Sequence, residues 1–166
     1  HQLIIARAPL FEEGNILGGG SLLQVPQVCF IVGERYLLTF QERAFQFFDP
    51  VRARLIDGLG PMRRSGIDYL TYALIDAMID RYYPVAQELS DALEELEDII
   101  VDNPHPEVLA RIHALRRQLV ALRRIGWPQR EAISTVLRHR TPFIREEMVP
   151  FLRDTHDHMT QIVELI

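Results

Sequence analysis

The chain has 166 residues, 48% of them hydrophobic and 25% charged, and a net charge of −5 at pH 7. These values allow one ordinary core, or a small core with long helices attached, and they argue against wholesale binding of nucleic acid phosphates. A single cysteine argues against a disulfide framework. No apolar run is long enough to span a bilayer and no signal peptide is visible, so we expect a soluble, cytoplasmic chain.

The first third of the chain has the pattern of β-structure. Strands are predicted over residues 3–8, 22–32 and 36–40, and the last two form a hairpin across Gly33-Glu34. The glycine triplet at residues 18–20 lacks the partners of a phosphate-binding loop and predicts a turn. Cys29 lies in an apolar run and is expected to be a buried, inert thiol. A helix is predicted to start near Asp49-Pro50, with the acidic residue as its cap.

From Ile67 onward the hydrophobic spacing is helical. One helix of about 36 residues is predicted over 67–102, kinked at Pro84 because proline removes a backbone hydrogen bond. A turn at 102–104 leads into a second long helix over 104–140, with another kink at Pro128. The acidic residues of the first arm and the arginines of the second favour an antiparallel pair with ionic flanks.

A third helix is predicted to start after Thr141-Pro142. Its apolar seam continues to Ile166 without a capping residue, and the chain begins without methionine, so we expect a piece of a longer protein. The seam residues follow a 3,4,3,4 spacing: Leu152, Thr155, Met159, Ile162 and Ile166.

Several strings of the sequence resemble the CorA family of divalent-cation channels. The run from Val28 to Glu42 followed by Asp49-Pro50-Val51-Arg52 is similar to the last strands and following helix of that family's cytoplasmic domain. Residues 68–80 resemble its acidic helix, and residues 115–131, which include Trp127-Pro128-Gln129-Arg130-Glu131, resemble its return helix. Residues 149–158 resemble the start of the stalk helix that leads to the membrane.

The resemblance implies an α+β fold that is part of an α/β/α sandwich, followed by long antiparallel helices and the start of a stalk helix. It implies three segments: 1–66 as the C-terminal part of the cytoplasmic α/β domain, 67–140 as a helical hairpin, and 141–166 as the stalk. The implied function is that of a non-enzymatic regulatory domain on the cytoplasmic face of a bacterial inner membrane. In the family, five subunits hold magnesium between neighbouring domains, and two membrane spans follow the stalk.

The metal ligands implied by the resemblance are Asp76 on the acidic helix and Asp154 on the stalk, with Asp80, Asp157 and His158 in support. Magnesium prefers oxygen ligands and keeps several waters, so one or two carboxylates from each side of an interface suffice. Cobalt or another divalent cation is an alternative. Without the resemblance, Asp154 is expected to be a solvated residue near a helix start, and Asp76 to pair with an arginine.

Three other functions are compatible with the residues. The chain could belong to a ZntB-like zinc transporter, since the residues that select the transported ion lie outside it. It could be a metal-independent helical interaction module, or the arginines of the second arm could bind nucleic acid, although the acidic arm opposes this. An enzyme is disfavoured because no nucleophile, base and orienting group occur at informative spacing.

Overall fold

The described part of the chain forms five short strands followed by five α-helices. The computed structural model of the chain describes residues 1–11, 23–102, 105–139 and 141–166; the predicted glycine turn, Leu22, Asn103-Pro104 and Arg140 lie outside these residues. The strands are β1 (Gln2–Arg7), β2 (Leu10–Phe11), β3 (Leu23–Gln24), β4 (Gln27–Val32) and β5 (Leu37–Gln41). The helices are α1 (Asp49–Asp57), α2 (Ile67–Ile79), α3 (Tyr82–Asp102), α4 (Pro106–Arg138) and α5 (Val149–Leu165).

The main sheet has three antiparallel strands in the order β1-β4-β5. The predicted hairpin is confirmed, with Val32 opposite Leu37 and the Gly33 N–H donating to the Tyr36 carbonyl at 2.9 Å. The single strand predicted over 22–32 is wrong, because Val25-Pro26 separates β3 from β4. Proline has no N–H to donate to a strand ladder, and β3 pairs instead with β2 in a second, two-stranded sheet.

The two faces of the main sheet differ in burial. Val28, Phe30 and Val32 of β4 are at most 1% exposed and face the helices, while Leu3 and Phe40 on the opposite face are each 58% exposed. Side chains alternate between faces along a strand, so Cys29 lies on that opposite face. It is a free, half-buried thiol, which corrects the prediction of a buried one.

Helix α1 starts where the sequence predicts, but its first residue has another role. Asp49 forms no side-chain cap; it lies inside the first turn, and the N-cap residue is Phe48. Its carboxylate pairs with Arg52 one turn later at 2.6 Å. The acidic charge therefore favours the helix start through the macrodipole and this ion pair rather than through capping.

The segment 67–102 forms two helices, which corrects the prediction of one kinked helix. Helix α2 ends at Ile79, and Asp80-Arg81 form a turn before α3 begins. Pro84 lies in the first turn of α3, where a missing N–H costs no intrahelical bond. Its ring would collide with the Asp80 carbonyl in a continuous helix, so the chain breaks at that carbonyl.

The apolar seams predicted on the two arms are buried. Leu89 and Leu96 of α3 and Leu122 of α4 have no exposed surface, and these helices pack against each other. Helix α4 continues through Pro128, which lies inside it. Among the described side chains, no ion pair joins an acid of α3 to an arginine of α4, so the predicted ionic flanks do not form within the chain.

Helix α5 completes the core. Four of the five predicted seam residues are buried: Leu152, Thr155, Met159 and Ile162 are at most 4% exposed, whereas Ile166 is half-buried. Helix α5 packs against α4, α2 and α3. The buried Tyr82 hydroxyl donates to the Arg7 carbonyl at 2.9 Å and connects α3 to β1. One contiguous cluster of buried side chains therefore extends from the sheet to the end of α5.

Candidate cation site between α2 and α5

The predicted site residues of α2 and α5 lie beside each other where the two helices cross. The Thr155 hydroxyl, only 1% exposed, donates to Asp76 Oδ1 at 3.0 Å, and the Tyr72 hydroxyl lies 3.5 Å from Asp76 Oδ2. No arginine pairs with Asp76 among the described side chains, so the alternative of an ion pair is wrong. Thr155 was predicted only as a seam residue, and its hydroxyl also forms a hydrogen bond from α5 to α2.

The electrostatics of Asp76 disfavour its charged form. Burial raises the pKa of its carboxyl above the ordinary value, the negative charges of Asp80 and Asp154 add to the rise, and the Thr155 hydrogen bond and His158 oppose it. The half-buried carboxylate thus lacks a compensating cation. A bound cation would relieve this cost, because an opposite charge within a few ångströms favours the ionised form.

The supporting residues surround Asp76 unevenly. His158 Nδ1 lies 3.6 Å from Asp80 Oδ1, which brings α5 to the end of α2. Asp154 is exposed on α5, and its charge contributes to the shifts at both Asp76 and Tyr72. Asp157 Oδ1 instead lies 3.3 Å from Nδ1 of its neighbour His156. The structure therefore brings four of the five predicted residues together and leaves Asp157 to one side.

An aromatic cluster borders the carboxylates. Tyr69, Tyr72 and Phe151 lie with ring centroids 5.3–5.7 Å apart across the α2–α5 contact. Burial, with the charges of Asp76 and Asp154, raises the pKa of Tyr72 to about 12, so its hydroxyl stays protonated and donates at neutral pH. Apolar rings beside a carboxylate lower the local dielectric and strengthen its electrostatic interactions.

An ion pair between a buried aspartate and a half-exposed arginine lies at the other end of the same contact. Asp68 at the start of α2 has a side chain only 3% exposed, and it accepts from Arg145 Nε at 2.8 Å and Nη2 at 3.0 Å and from the Arg145 backbone N–H at 3.2 Å. Burial raises the pKa of Asp68, but the Arg145 bonds and charge outweigh it and hold the pKa below its ordinary value. Sequence reasoning missed this pair; the only signal was an aspartate in the first turn of an apolar helix.

The described side chains of this chain do not form a complete metal site. Within the described ranges, no three His, Cys, Asp or Glu side chains are grouped closely enough to hold a metal ion. The donors that do converge are carboxylate oxygens, which suit magnesium.

We expect Asp76→Asn to make the metal-free protein more stable at pH 7. Because the folded-state pKa of Asp76 is raised, ionising this carboxyl costs stability at every pH above that pKa, and asparagine removes the charge while still accepting from Thr155. Below the ordinary value of 3.8 both states of the wild type are protonated, so the advantage vanishes. Thermal melts from pH 3 to 8 in EDTA test this, and a lower melting temperature at pH 7 would contradict it.

Comparisons with known proteins are consistent with this architecture. The family description "CorA-like Mg2+ transporter protein" matches residues 18–166. The cobalt/magnesium transport protein CorA of Thermotoga maritima is 39% identical over 144 residues, which are 87% of this chain and 41% of that protein. The chain thus spans about two fifths of that curated relative. In the part of the chain that the structure describes, no helix is both long enough and apolar enough to cross a membrane.

Solved structures share the fold. The soluble domain of CorA from Methanocaldococcus jannaschii superposes with a TM-score of 0.78 at 24% identity, covering 98% of this chain and 62% of that one. The ZntB cytoplasmic domain from Vibrio parahaemolyticus gives 0.74 at 16% identity, covering 98% and 61%. At such identities the likeness extends to the fold alone, and it does not distinguish magnesium from zinc as the cation.

Proposed function

The chain belongs to the CorA-like Mg2+ transporter family, and on that premise we propose that it is the cytoplasmic regulatory part of a divalent-cation transporter. In this proposal five copies surround a stalk, each α5 continues towards membrane spans, and divalent cations bound between copies hold the pore closed. The observation that carries the proposal is the convergence of Asp76, Asp80, Asp154 and His158 at the α2–α5 contact.

The proposed cation is magnesium, with cobalt as the next candidate because the Thermotoga relative is named for both. Asp154 would face the neighbouring copy, since it is exposed, while Asp76 would supply negative charge from behind it. Asp80 and His158 would orient the helices, and Asp157 would contribute only through water. Weak binding follows from so few direct ligands, and it suits sensing of millimolar concentrations.

We also propose three segments with separate roles. Residues 1–66 would complete an α/β/α sandwich with upstream chain, and the exposed apolar face of the sheet, which includes Leu3, Ile5, Leu38 and Phe40, supports this. Residues 67–140 would form the helical hairpin that carries Asp76, and residues 141–166 would begin the stalk. The Thr155–Asp76 hydrogen bond would couple cation binding on the hairpin to the position of the stalk.

We expect Asp154→Ala to abolish stabilisation by magnesium. The test is a series of thermal melts and light-scattering masses from zero to about 20 mM magnesium, at 150 mM salt, with EDTA as the zero point. The wild type should melt at higher temperature and gain mass towards five copies as magnesium rises. Glu164→Ala, which removes an exposed carboxylate from the same helix, is the matched control and should behave as the wild type.

The outcomes separate the candidate functions. An unchanged magnesium response in Asp154→Ala would contradict the proposed site. A response to zinc but not to magnesium or cobalt would favour a ZntB-like function, for which the shared fold is the supporting observation. Melts that coincide with and without every metal would favour the metal-independent interaction module.

A further inference from the structure

A cleft between the end of α4, the connection to α5 and the first turn of α5 has the size and lining of a small-molecule site. Its volume is about 610 Å³, within the range of about 300–1,000 Å³ that is common for ligand pockets. Most of its wall is aliphatic, and a few residues supply the polar atoms. The aliphatic side chains are Val136, Leu137, Pro142, Ile144, Val149 and Leu152, and the polar ones are Thr141, Arg145 and Glu146.

Two polar groups in the cleft can still form hydrogen bonds. The Thr141 hydroxyl oxygen is buried and has no hydrogen-bond partner among the described residues. Arg145 donates from Nε and Nη2 to Asp68, whereas its Nη1 lies 3.6 Å from Glu147 Oε2, which is beyond hydrogen-bond distance. A buried hydroxyl without a partner is costly, so a ligand that forms a hydrogen bond with it gains affinity.

The Arg145 guanidinium is held in place before any ligand binds. Asp68 fixes it from one side, and a Cβ atom at Gly66 would lie only 3.1 Å from Arg145 Nη2, so the guanidinium also lies close to the backbone before α2. A fixed cation loses little conformational entropy when it binds an anion. The Glu147 side chain is 81% exposed and lies near Nη1 without a bond, so a second carboxylate can replace it there.

The apolar wall of the cleft continues inward. A second cavity of about 50 Å³ lies between β1, α2 and α4, and Val136, Ile144 and Leu152 line both spaces. Asp68 lines the inner cavity and Arg145 the outer cleft, so their ion pair lies at the boundary. Because the lining of the cleft is aliphatic rather than aromatic, it suits an alkyl chain.

We propose that this cleft binds a small molecule with a carboxylate head and an alkyl chain. The carboxylate accepts from Arg145 Nη1 and from the Thr141 hydroxyl, in place of Glu147, and the chain lies against Leu137 and Val149. Such a ligand connects the end of α4 to the start of α5 and stabilises the observed position of α5. Binding requires neither a cation nor a second copy, so the inference goes beyond the proposed function and can fail independently of it.

The test is equilibrium dialysis of radiolabelled octanoate against the metal-free chain in EDTA, from about 0.01 to 10 mM. We expect saturable binding of one octanoate per chain. Octylammonium and 1-octanol, measured by displacement of the labelled octanoate, should bind at least about tenfold more weakly because they lack the carboxylate. From hexanoate to octanoate, binding should tighten about fourfold for each methylene that the cleft buries.

Substitutions locate the ligand. Arg145→Met should abolish the preference for octanoate over 1-octanol, and Thr141→Val should weaken octanoate binding about tenfold. Val149→Phe should block binding by filling the cleft; Val120→Phe, which adds the same ring at a 59% exposed position of α4, is the matched control and should bind as the wild type. Glu147→Gln should tighten binding about twofold, because it removes a competing carboxylate.

Circular dichroism establishes that each variant is folded, and Thr141→Val with Val149→Phe decides the outcome if Arg145→Met is not. The proposal would be overturned if the wild type bound no octanoate saturably, or bound octanoate and 1-octanol equally. Unchanged binding of octanoate to both Thr141→Val and Val149→Phe would also overturn it, because the ligand would then lie elsewhere.

Discussion

Gly126→Leu is expected to lower the free energy of unfolding by about 3 kcal/mol, because α4 and α5 approach each other too closely at this position for a side chain. A Cβ atom at Gly126 would lie 2.9 Å from Met159 Cε and 3.1 Å from Val163 Cγ2, both on α5. Leucine favours helix more than glycine does, so any loss of stability reflects the collision and not helix propensity.

The measurement is chemical and thermal unfolding with Ala121→Leu as the control. Ala121 is exposed on the same helix, and its replacement should change stability by no more than about 0.5 kcal/mol. Gly126→Ala should lie between the two, since the flexible end of Met159 must move and Val163 must shift slightly. Because a displaced α5 would separate Thr155 from Asp76, the magnesium response should also weaken in Gly126→Leu. Equal stability of the two leucine variants would contradict close packing of α4 on α5.

Arg145→Met is expected to lower the melting temperature by about 5–10 °C at pH 7, since it leaves the Asp68 carboxylate buried without its cation. Methionine retains much of the apolar stem of the arginine side chain. The expected loss of stability therefore comes from the missing charge and hydrogen bonds. The matched control is Arg138→Met, which breaks the Arg138–Glu131 pair, whose side chains are 59% and 57% exposed. Exposed pairs contribute little, and we expect the control to shift by less than about 2 °C.

The loss of stability caused by Arg145→Met should be larger at neutral pH than at acidic pH. The pKa of Asp68 is lowered in the folded wild type, so its contribution to stability is present above the ordinary value of 3.8 and is lost as pH falls through the lowered folded value. In the variant, burial alone would raise that pKa. The difference between wild type and variant should therefore be largest at neutral pH and shrink on acidification. A difference that is constant from pH 7 to pH 3 would contradict this account.

Sequence reasoning predicted the helical part of the fold well where the pattern was long. The seams through Leu89, Leu122 and Met159 are buried as their spacing predicts, and the hairpin at Gly33 forms. The predictions failed at Pro26 and Pro84. A proline is known to disrupt a strand or a helix, but its presence does not tell whether the element bends or ends there. The burial of Cys29 depends on which face of the sheet the helices cover. The alternation of side chains along a strand does not tell which face that is.

The sequence alone established the periodicities, the resemblance of residues 28–158 to one family, and the carboxylates that could hold a cation. These are local properties, carried by spacing and residue type along a continuous segment. Only the tertiary structure decided which groups meet, because contacts such as Asp68–Arg145 and Asp76–Thr155 join residues 77 and 79 positions apart. It likewise showed that the acids of α3 and the arginines of α4 point away from each other. The seams occupy the contact between the helices, so the charges are left on the outer surfaces of α3 and α4.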